Sequence, residues 1–380
     1  MRYRTLGKTG LNVSEIGFGA EWIGDMEMAE VQAVADRSRA AGVNLVDCWM
    51  ADPTVRSRLG EAIAPARDAW IIQGHIGSTW QDGQYVRTRD LAQVRPAFDD
   101  LLERLRTDHV ELGMIHYVDS VDEFHEIMAG PFIEYVRELL AEGRIRHIGL
   151  STHNPEVAQR AAETDEIEMI MFSLNPAYDL MPASDNIETL FGDFAEAGTR
   201  TDPVREKLYA TCAARNVGLT VMKPYAGGRL LDAETSPFGV AMTAPQCLHY
   251  CLTRPAVASV LAGIASVAQL EDALRYLDAS PEELDYGPVL AAAPSHAYFG
   301  QCIYCGHCQP CTVGINIATV NKYADLALAH DEIPPSVQAH YETLDAKAGD
   351  CTGCEACEPN CPFGVPIAER MEQTAELFGC

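Results

Sequence analysis

From residue 1 to about residue 280, short apolar runs alternate with longer stretches whose apolar positions recur at helical spacing. The β-rich runs fall at Ile16–Phe18, Leu45–Val46, Trp70–Gln73, Val110–Ile115, His147–Leu150, Glu168–Phe172, Gly218–Met222 and Val260–Ala262. Amphipathic stretches lie between them at Met28–Ala41, Leu91–Arg106, Asp122–Ala141, Arg205–Asn216 and Val267–Leu277. Eight strands alternating with helices predict an α/β chain folded as a (β/α)8 TIM barrel. An open, doubly wound sheet is the competitor, but no G-x-G-x-x-G follows the first run. The segment from Asn175 to Pro203 is far longer than an ordinary βα connection, and on a barrel it would lie over the catalytic face as a lid. Arg2–Asn12, centred on Gly7-Lys8-Thr9-Gly10, reads as a hairpin closing the barrel floor.

After Leu277 the pattern changes. Residues 281–298 read as a linker rich in Pro, Ala and acidic residues, and a cysteine-rich segment follows over 299–380. Its first run is Cys302-x2-Cys305-x2-Cys308-x2-Cys311, and its second is Cys351-x2-Cys354-x2-Cys357-x3-Cys361-Pro362. The second matches the bacterial ferredoxin spacing, and the first is one residue shorter before its last cysteine. Three thiolates at this spacing can hold three irons of one cubane, while the fourth reaches the other cluster. The expected ligand sets for two [4Fe–4S] clusters are therefore Cys302, Cys305, Cys308 and Cys361, and Cys351, Cys354, Cys357 and Cys311. Structural zinc is the alternative, although it needs no third cysteine at such tight spacing. Helical pattern at Ile317–Ala329 and Val365–Leu377 makes this a small α-helical ferredoxin-like module. Cys48, Cys212, Cys247, Cys251 and Cys380 read as buried apolar residues or tail, with Cys48 the one to watch.

Charge narrows the partners. Lys+Arg number 28 against 55 Asp+Glu, a net charge of −27, which repels both nucleic acid and anionic membranes. With no signal-like segment or long apolar run, a soluble protein of the reducing cytoplasm is expected, without a membrane span.

Several segments of the first 280 residues carry a resemblance. Arg4-Thr-Leu-Gly-Lys-Thr-Gly-Leu-Asn-Val-Ser14 with Ile16-Gly-Phe-Gly19, Gly42-Val-Asn-Leu-Val-Asp47, Leu102-Glu-Arg-Leu-Arg-Thr-Asp-His-Val-Glu-Leu-Gly-Met-Ile-His116, Ile148-Gly-Leu-Ser-Thr-His-Asn154 and Pro224-Tyr-Ala-Gly-Gly-Arg-Leu-Leu231 stand in the order seen in aldo-keto reductases. The whole chain resembles the subgroup with a C-terminal 2[4Fe–4S] ferredoxin-type domain. The resemblance implies a barrel that moves hydride between a nicotinamide and a carbonyl, using an Asp, Tyr, Lys and His tetrad with tyrosine as proton donor. Asp47 and His116 stand at the Asp and His positions. Asp52 stands at the Tyr position and His75 at the Lys position. Asp52 is no donor unless burial raises its pKa, whereas His75 titrates near neutrality by nature. The expectation is that Asp47 orients His75 and that His75 with His116 protonates the substrate. Tyr117 and Tyr225 are further candidate donors.

The same resemblance places Ser151, Asn154 and Asn175 at a nicotinamide carboxamide, Met222 at its stacking position and Gly263 at the loop near a 2′-phosphate. No Arg or Lys follows Gly263, which favours NAD(H) over NADP(H) and leaves open a barrel without nicotinamide. Arg229, after the Gly227-Gly228 pair, and Lys223 are candidates for an anionic substrate group, and Trp80 with Tyr85 for an aromatic wall. Three functions compete: an iron–sulfur oxidoreductase acting on a small carbonyl or hydroxyl compound, a metal-dependent lyase or oxidoreductase (non-haem iron or zinc) built on Asp47, His75, His116 and His153, and an electron-transfer protein docking a redox partner.

Overall fold

The computed structural model describes residues 1–192, 194, 196–293 and 297–379. Eight parallel strands close into a barrel: β1 (Ile16–Gly19), β2 (Leu45–Cys48), β3 (Ile71–Ile76), β4 (Val110–Ile115), β5 (Ile145–Thr152), β6 (Met169–Ser173), β7 (Gly218–Met222) and β8 (Val257–Gly263), with β8 pairing back onto β1. The predicted strands lie where the apolar runs put them, and β3 runs on to Ile76, so that His75 belongs to the strand itself.

Alternation along the strands sorts two cores. Inside the barrel, Leu45, Leu112, Met114, Met169, Met171 and Leu261 pack together. The other face of each strand packs against the outer helices in a larger core. The floor is closed by the N-terminal hairpin, in which Tyr3–Thr5 pairs with Asn12–Ser14, placing Leu6 and Val13 in the inner core. Gly7 makes this plug fit: its φ is +52°, and a Cβ there would come within 2.2 Å of the Gly218 nitrogen.

Helix starts follow the capping rules. Asp52, Asn154 and Asp202 each precede a proline, and each side chain accepts from a backbone N–H two residues on, capping helices Pro53–Ile63, Pro155–Glu163 and Pro203–Ala214. The stretch expected as one helix over Asp122–Ala141 breaks at Gly130-Pro131 into Val121–Ala129 and Pro131–Ala141, because proline cannot continue a helix but suits a first turn.

Two hairpin strands that the apolar pattern did not announce follow β3. Ser78–Gln81 pairs with Gln84–Arg87 across Asp82-Gly83, both of positive φ, as a two-residue hairpin turn requires. The Asp-Gly pair was the available sequence signal.

In the C-terminal module, helices Ile317–Leu328, Pro335–Glu342 and Ile367–Phe378 surround the cysteine loops. The connecting segment is itself helical at Pro281–Leu284 and Gly287–Ala291. A buried seam of tyrosines joins module to barrel. The Tyr286 hydroxyl donates to the Ile303 carbonyl, Tyr209 and Tyr250 donate to Asp179, and Tyr298 donates to the Pro176 carbonyl just beyond β6. Arg254 lies between the rings of Tyr250 and Tyr304.

Candidate active site

The ends of β2, β3 and β4 bring Asp47, His75 and His116 together, each at most 4% exposed. Strand alternation aims Gln73 and His75 to the same side, and register sets Asp47 beside Gln73. His75 Nε2 lies 2.9 Å from Asp47 Oδ1, and His75 Nδ1 lies 2.8 Å from His116 Nδ1. Gln73 Nε2 donates to the same Asp47 oxygen at 3.0 Å. Burial, then the charges of His75 and Arg89, hold His116 well below the usual histidine range.

A fourth group completes the line. The Tyr85 hydroxyl, carried by the hairpin after β3, lies 2.7 Å from His116 Nε2. Burial raises the Tyr85 phenol to about 12. Trp49 stacks on His116 with centroids 5.8 Å apart and meets Tyr85 edge-on at 5.3 Å. Sequence reasoning gave Tyr85 only a wall role, since it sits on no barrel strand, and passed over Trp49.

A second polar group borders the first. His153 Nδ1 lies 2.9 Å from Asp119 Oδ2, and the His153 backbone N–H donates to Asp119 Oδ1 at 2.7 Å. Burial alone would raise Asp119; the hydrogen bonds and charge of His153 outweigh it and leave it below its usual value. The Tyr117 ring stands edge-on to both His116 and His153. Lys223, at the end of β7, is held below its usual value by burial, against the attraction of Glu21 and Asp119. Glu21, just past β1, is raised by burial, against the attraction of Lys223 and a hydrogen bond with Trp49. Glu21 and Asp119 carried no motif and were missed.

Several expected roles change. Asp52 accepts from the Thr54 N–H at 2.6 Å as a helix cap, so it does not stand in for the tyrosine of the tetrad; Asp-Pro before a helix was the sign. Asn154 caps the next helix through Oδ1 and donates Nδ2 to the Asp119 carbonyl. Asn175, fully buried, donates to the Lys223 carbonyl and accepts from the N–H groups of Ala177 and Tyr178. Both side-chain amides are thus bound to backbone at each end. Ser151 accepts from the Tyr117 N–H, Met222 packs against the inner core, and exposed Gly263 lies under the Trp22 indole. Tyr225 is not at the mouth line: burial raises its phenol well above the usual range, beside Cys247, Asp272 and Cys251 in the outer helix layer. Arg229 donates to the carbonyls of Gly192, Phe191 and Thr235 and covers the Phe194 ring, which makes it a strut between two loops rather than an anion site. Trp80 is paired across from Tyr85 in the hairpin. Cys48 is buried with its thiol raised to about 12, so it is no thiolate. Cys380 lies outside the described residues.

The cysteines gather as two sets. One cavity is lined by Cys302, Cys305, Cys308 and Cys361, and a second by Cys311, Cys351, Cys354 and Cys357. Each set draws one member from the other run. Among the described residues no three His, Cys, Asp or Glu side chains converge on a point that one metal ion could occupy. At the barrel mouth, both ring nitrogens of His75 and of His116 are engaged in hydrogen bonds.

The aldo/keto reductase family matches residues 15–243, more than half of the chain. The chain belongs to that family. A 4Fe-4S dicluster domain matches residues 298–365. The chain is 27% identical over 295 residues to the uncharacterized oxidoreductase YqkF of Bacillus subtilis, covering 73% of this chain and 92% of that protein. It is 24% identical over 179 residues to the NADH-specific methylglyoxal reductase of Escherichia coli, covering 44% of this chain and 54% of that one. The holo form of aldo-keto reductase AKR11C1 from Bacillus halodurans superposes with a TM-score of 0.61 at 23% identity, over 78% of this chain and 98% of that structure, and shares the barrel fold. This aldo-keto reductase is thus an oxidoreductase with a C-terminal iron–sulfur module.

Proposed function

We propose that this aldo-keto reductase interconverts a small carbonyl compound and its hydroxyl form at the barrel mouth, with electrons handled through two [4Fe–4S] clusters. The observation that carries the reading is the unbroken line Asp47–His75–His116, which moves a proton to or from a substrate oxygen. Asp47 accepts from His75 and fixes its tautomer, and the buried pair excludes water from the transfer. Lys223 and Glu21 border the same mouth and orient the substrate's polar groups.

Cys302, Cys305, Cys308 and Cys361 would hold one cluster, and Cys311, Cys351, Cys354 and Cys357 the other; when bound, such clusters supply single electrons at low potential. The first cysteine set adjoins the tyrosine seam, through Ile303 and Tyr304, and the second lies outward, with Cys354 exposed. A redox partner protein would therefore meet the outer set. Cluster thiolates persist in a reducing compartment, and the compartment proposed is the cytoplasm; no helix among the described residues is long and apolar enough to cross a membrane.

Turnover of small aldehydes and hydroxy-carbonyls by cluster-loaded protein tests the reading, with reduced viologen or NADH as the electron source. His75→Ala and His116→Ala should each lower turnover by ~10²-fold or more. Full activity in both variants excludes proton handling by this line. A calorimetric titration decides the electron source in parallel: NADH should bind at least as tightly as NADPH, for want of a cation after Gly263, and a clear NADPH preference contradicts that reading.

A further inference from the structure

The hairpin after β3 is anchored with unusual care for a solvent-side element. It leaves the barrel at Gly77, whose φ is +101° and where a Cβ would meet Arg89 Nη1 at 2.7 Å. Ser78 Oγ donates to the Trp49 carbonyl at 2.6 Å, Arg87 donates to the Tyr117 carbonyl at 2.8 Å, and Arg89 donates to the His116 carbonyl at 2.7 Å. Each bond ties the hairpin to the strand ends that carry the site, and the result is the Tyr85 hydroxyl set on His116 Nε2.

Three hydrogen bonds in series thus join Asp47, His75, His116 and Tyr85, at 2.9, 2.8 and 2.7 Å. A carboxylate only accepts, so His75 Nε2 carries a hydrogen. The other two directions follow from the number of protons on the chain. Without an extra proton, His75 Nδ1 is bare and accepts from His116 Nδ1–H, and His116 Nε2 is bare and accepts from the Tyr85 hydroxyl. With one more proton both bonds reverse. His75 Nδ1–H then donates to His116 Nδ1, His116 Nε2–H donates to the Tyr85 oxygen, and the Tyr85 O–H is released toward the mouth.

We propose that Tyr85 is the catalytic residue that exchanges the proton with the substrate oxygen, and that Asp47, His75 and His116 form the wire that reloads it. The proposal rests on the reading of the mouth as a carbonyl/hydroxyl site. In the reductive direction the carbonyl carbon takes a hydride from a hydride donor of the dihydronicotinamide class, the donor's C–H bond breaking as the new C–H bond forms, and the Tyr85 O–H bond breaks as its proton passes to the substrate oxygen. Tyr85 then takes the Nε2 proton of His116, and His116 takes the Nδ1 proton of His75. His75 ends neutral, still donating Nε2–H to Asp47, and one proton has left the chain. Oxidation of a hydroxyl runs the same shifts backwards.

Burial and charge fit this polarity. Asp47, His75 and His116 are sealed while Tyr85 is partly exposed, so the wire ends at the mouth. Arg87, Arg89 and His153 face the His116 end, while the carboxylates of Asp47 and Glu21 face the other. The phenol, raised to about 12 by burial, keeps its hydrogen at physiological pH.

The test uses ¹⁵N-histidine-labelled holoprotein followed by NMR across pH, with phenylglyoxal reduction as the activity probe. His116 should hold its hydrogen on Nδ1 at high pH and move it to Nε2 once the chain takes up one more proton. In Tyr85→Phe the Nε2 hydrogen loses its acceptor, so the switch should vanish. A His116 that keeps one tautomer in the native protein, or switches unchanged in Tyr85→Phe, overturns the proposal. Turnover of Tyr85→Phe should fall by ~10²-fold or more with KM little changed, while Gln84→Ala at the hairpin tip should match the native rate. Full turnover in Tyr85→Phe with loss in His116→Ala overturns the role of Tyr85 and keeps the mouth reading. Full turnover in both variants overturns the mouth reading itself.

Discussion

The barrel mouth and the cysteine module hold reactive groups in place by opposite means. In the module, ligands stand three residues apart, and one turn of chain suffices to gather most of each set. At the mouth, neighbouring members of the line are separated by 28, 41 and 31 residues, and only the closed barrel brings them together. The module tolerates exposure, as Cys354 shows; the mouth buries its line almost wholly. The difference has a physical basis. A covalently ligated cluster brings its own binding energy to the loops that hold it, whereas a proton wire has nothing but packing and hydrogen bonds to keep its atoms within reach. The two regions should therefore fail differently when broken.

The largest effect belongs to the cysteines. Native protein prepared without oxygen should carry about eight iron and about eight labile sulfide. Cys361→Ser should disturb the cluster of the first run, and Cys311→Ser that of the second. Iron and sulfide analysis with electron paramagnetic resonance checks this; loss confined to each residue's own run would refute the crossed sets, and stoichiometric zinc without sulfide would remove the electron-transfer reading.

The mouth should fail by rate, not by cluster loss. His116→Ala should lose ~10²-fold in turnover with unchanged iron content. If a metal and activity leave together in that variant, the mononuclear-metal reading replaces the wire.

The seam between the two regions comes next. Asp179 accepts from Tyr209 and Tyr250 and lies 3.9 Å from the fully buried Arg205. Asp179→Ala leaves these groups unpaired in the interior and should destabilise by about 3–5 kcal/mol, read as a lower midpoint in circular dichroism. An unchanged midpoint would mean that the seam adds no stability to the fold.

The smallest effect is a pH dependence at the same seam. Burial, then the charges of Arg2 and Arg4, lowers His249 from 6.5 to about 4. The unfolded chain takes up this proton first, so His249 costs no stability above pH 6.5 and weakens the fold as pH falls from 6.5 toward 4. Denaturant melts of His249→Phe at pH 7 and pH 5 should show a smaller loss between the two than the native protein shows. An equal loss would assign the acid sensitivity to other groups.

Much of this was legible in the sequence. The barrel followed from the alternation of apolar runs with helical stretches, and the crossed cysteine sets followed from spacing. Asp47, His75 and His116 were found through the resemblance to the family's tetrad, and their places at successive strand ends said that they should converge. The capping roles of Asp52 and Asn154 were passed over because alignment position outweighed a local signal: each precedes proline, and an acidic or amide side chain there is bound by the helix it starts. Asn175 lacked such a sign, since its partners are backbone groups of its own loop and of a strand end 48 residues away.

What the sequence by itself determined is whatever depends on short-range periodicity: strands, caps, the Asp82-Gly83 turn and the cysteine runs. Only the tertiary structure decided that Tyr85 and Trp49 meet His116, that Tyr225 and Arg229 are committed elsewhere, and that Glu21 and Lys223 share the mouth. Hydrogen-bond geometry over 2.7 to 2.9 Å depends on how strands register and how a hairpin is anchored. Those are properties of the closed barrel, and no single stretch of chain carries them.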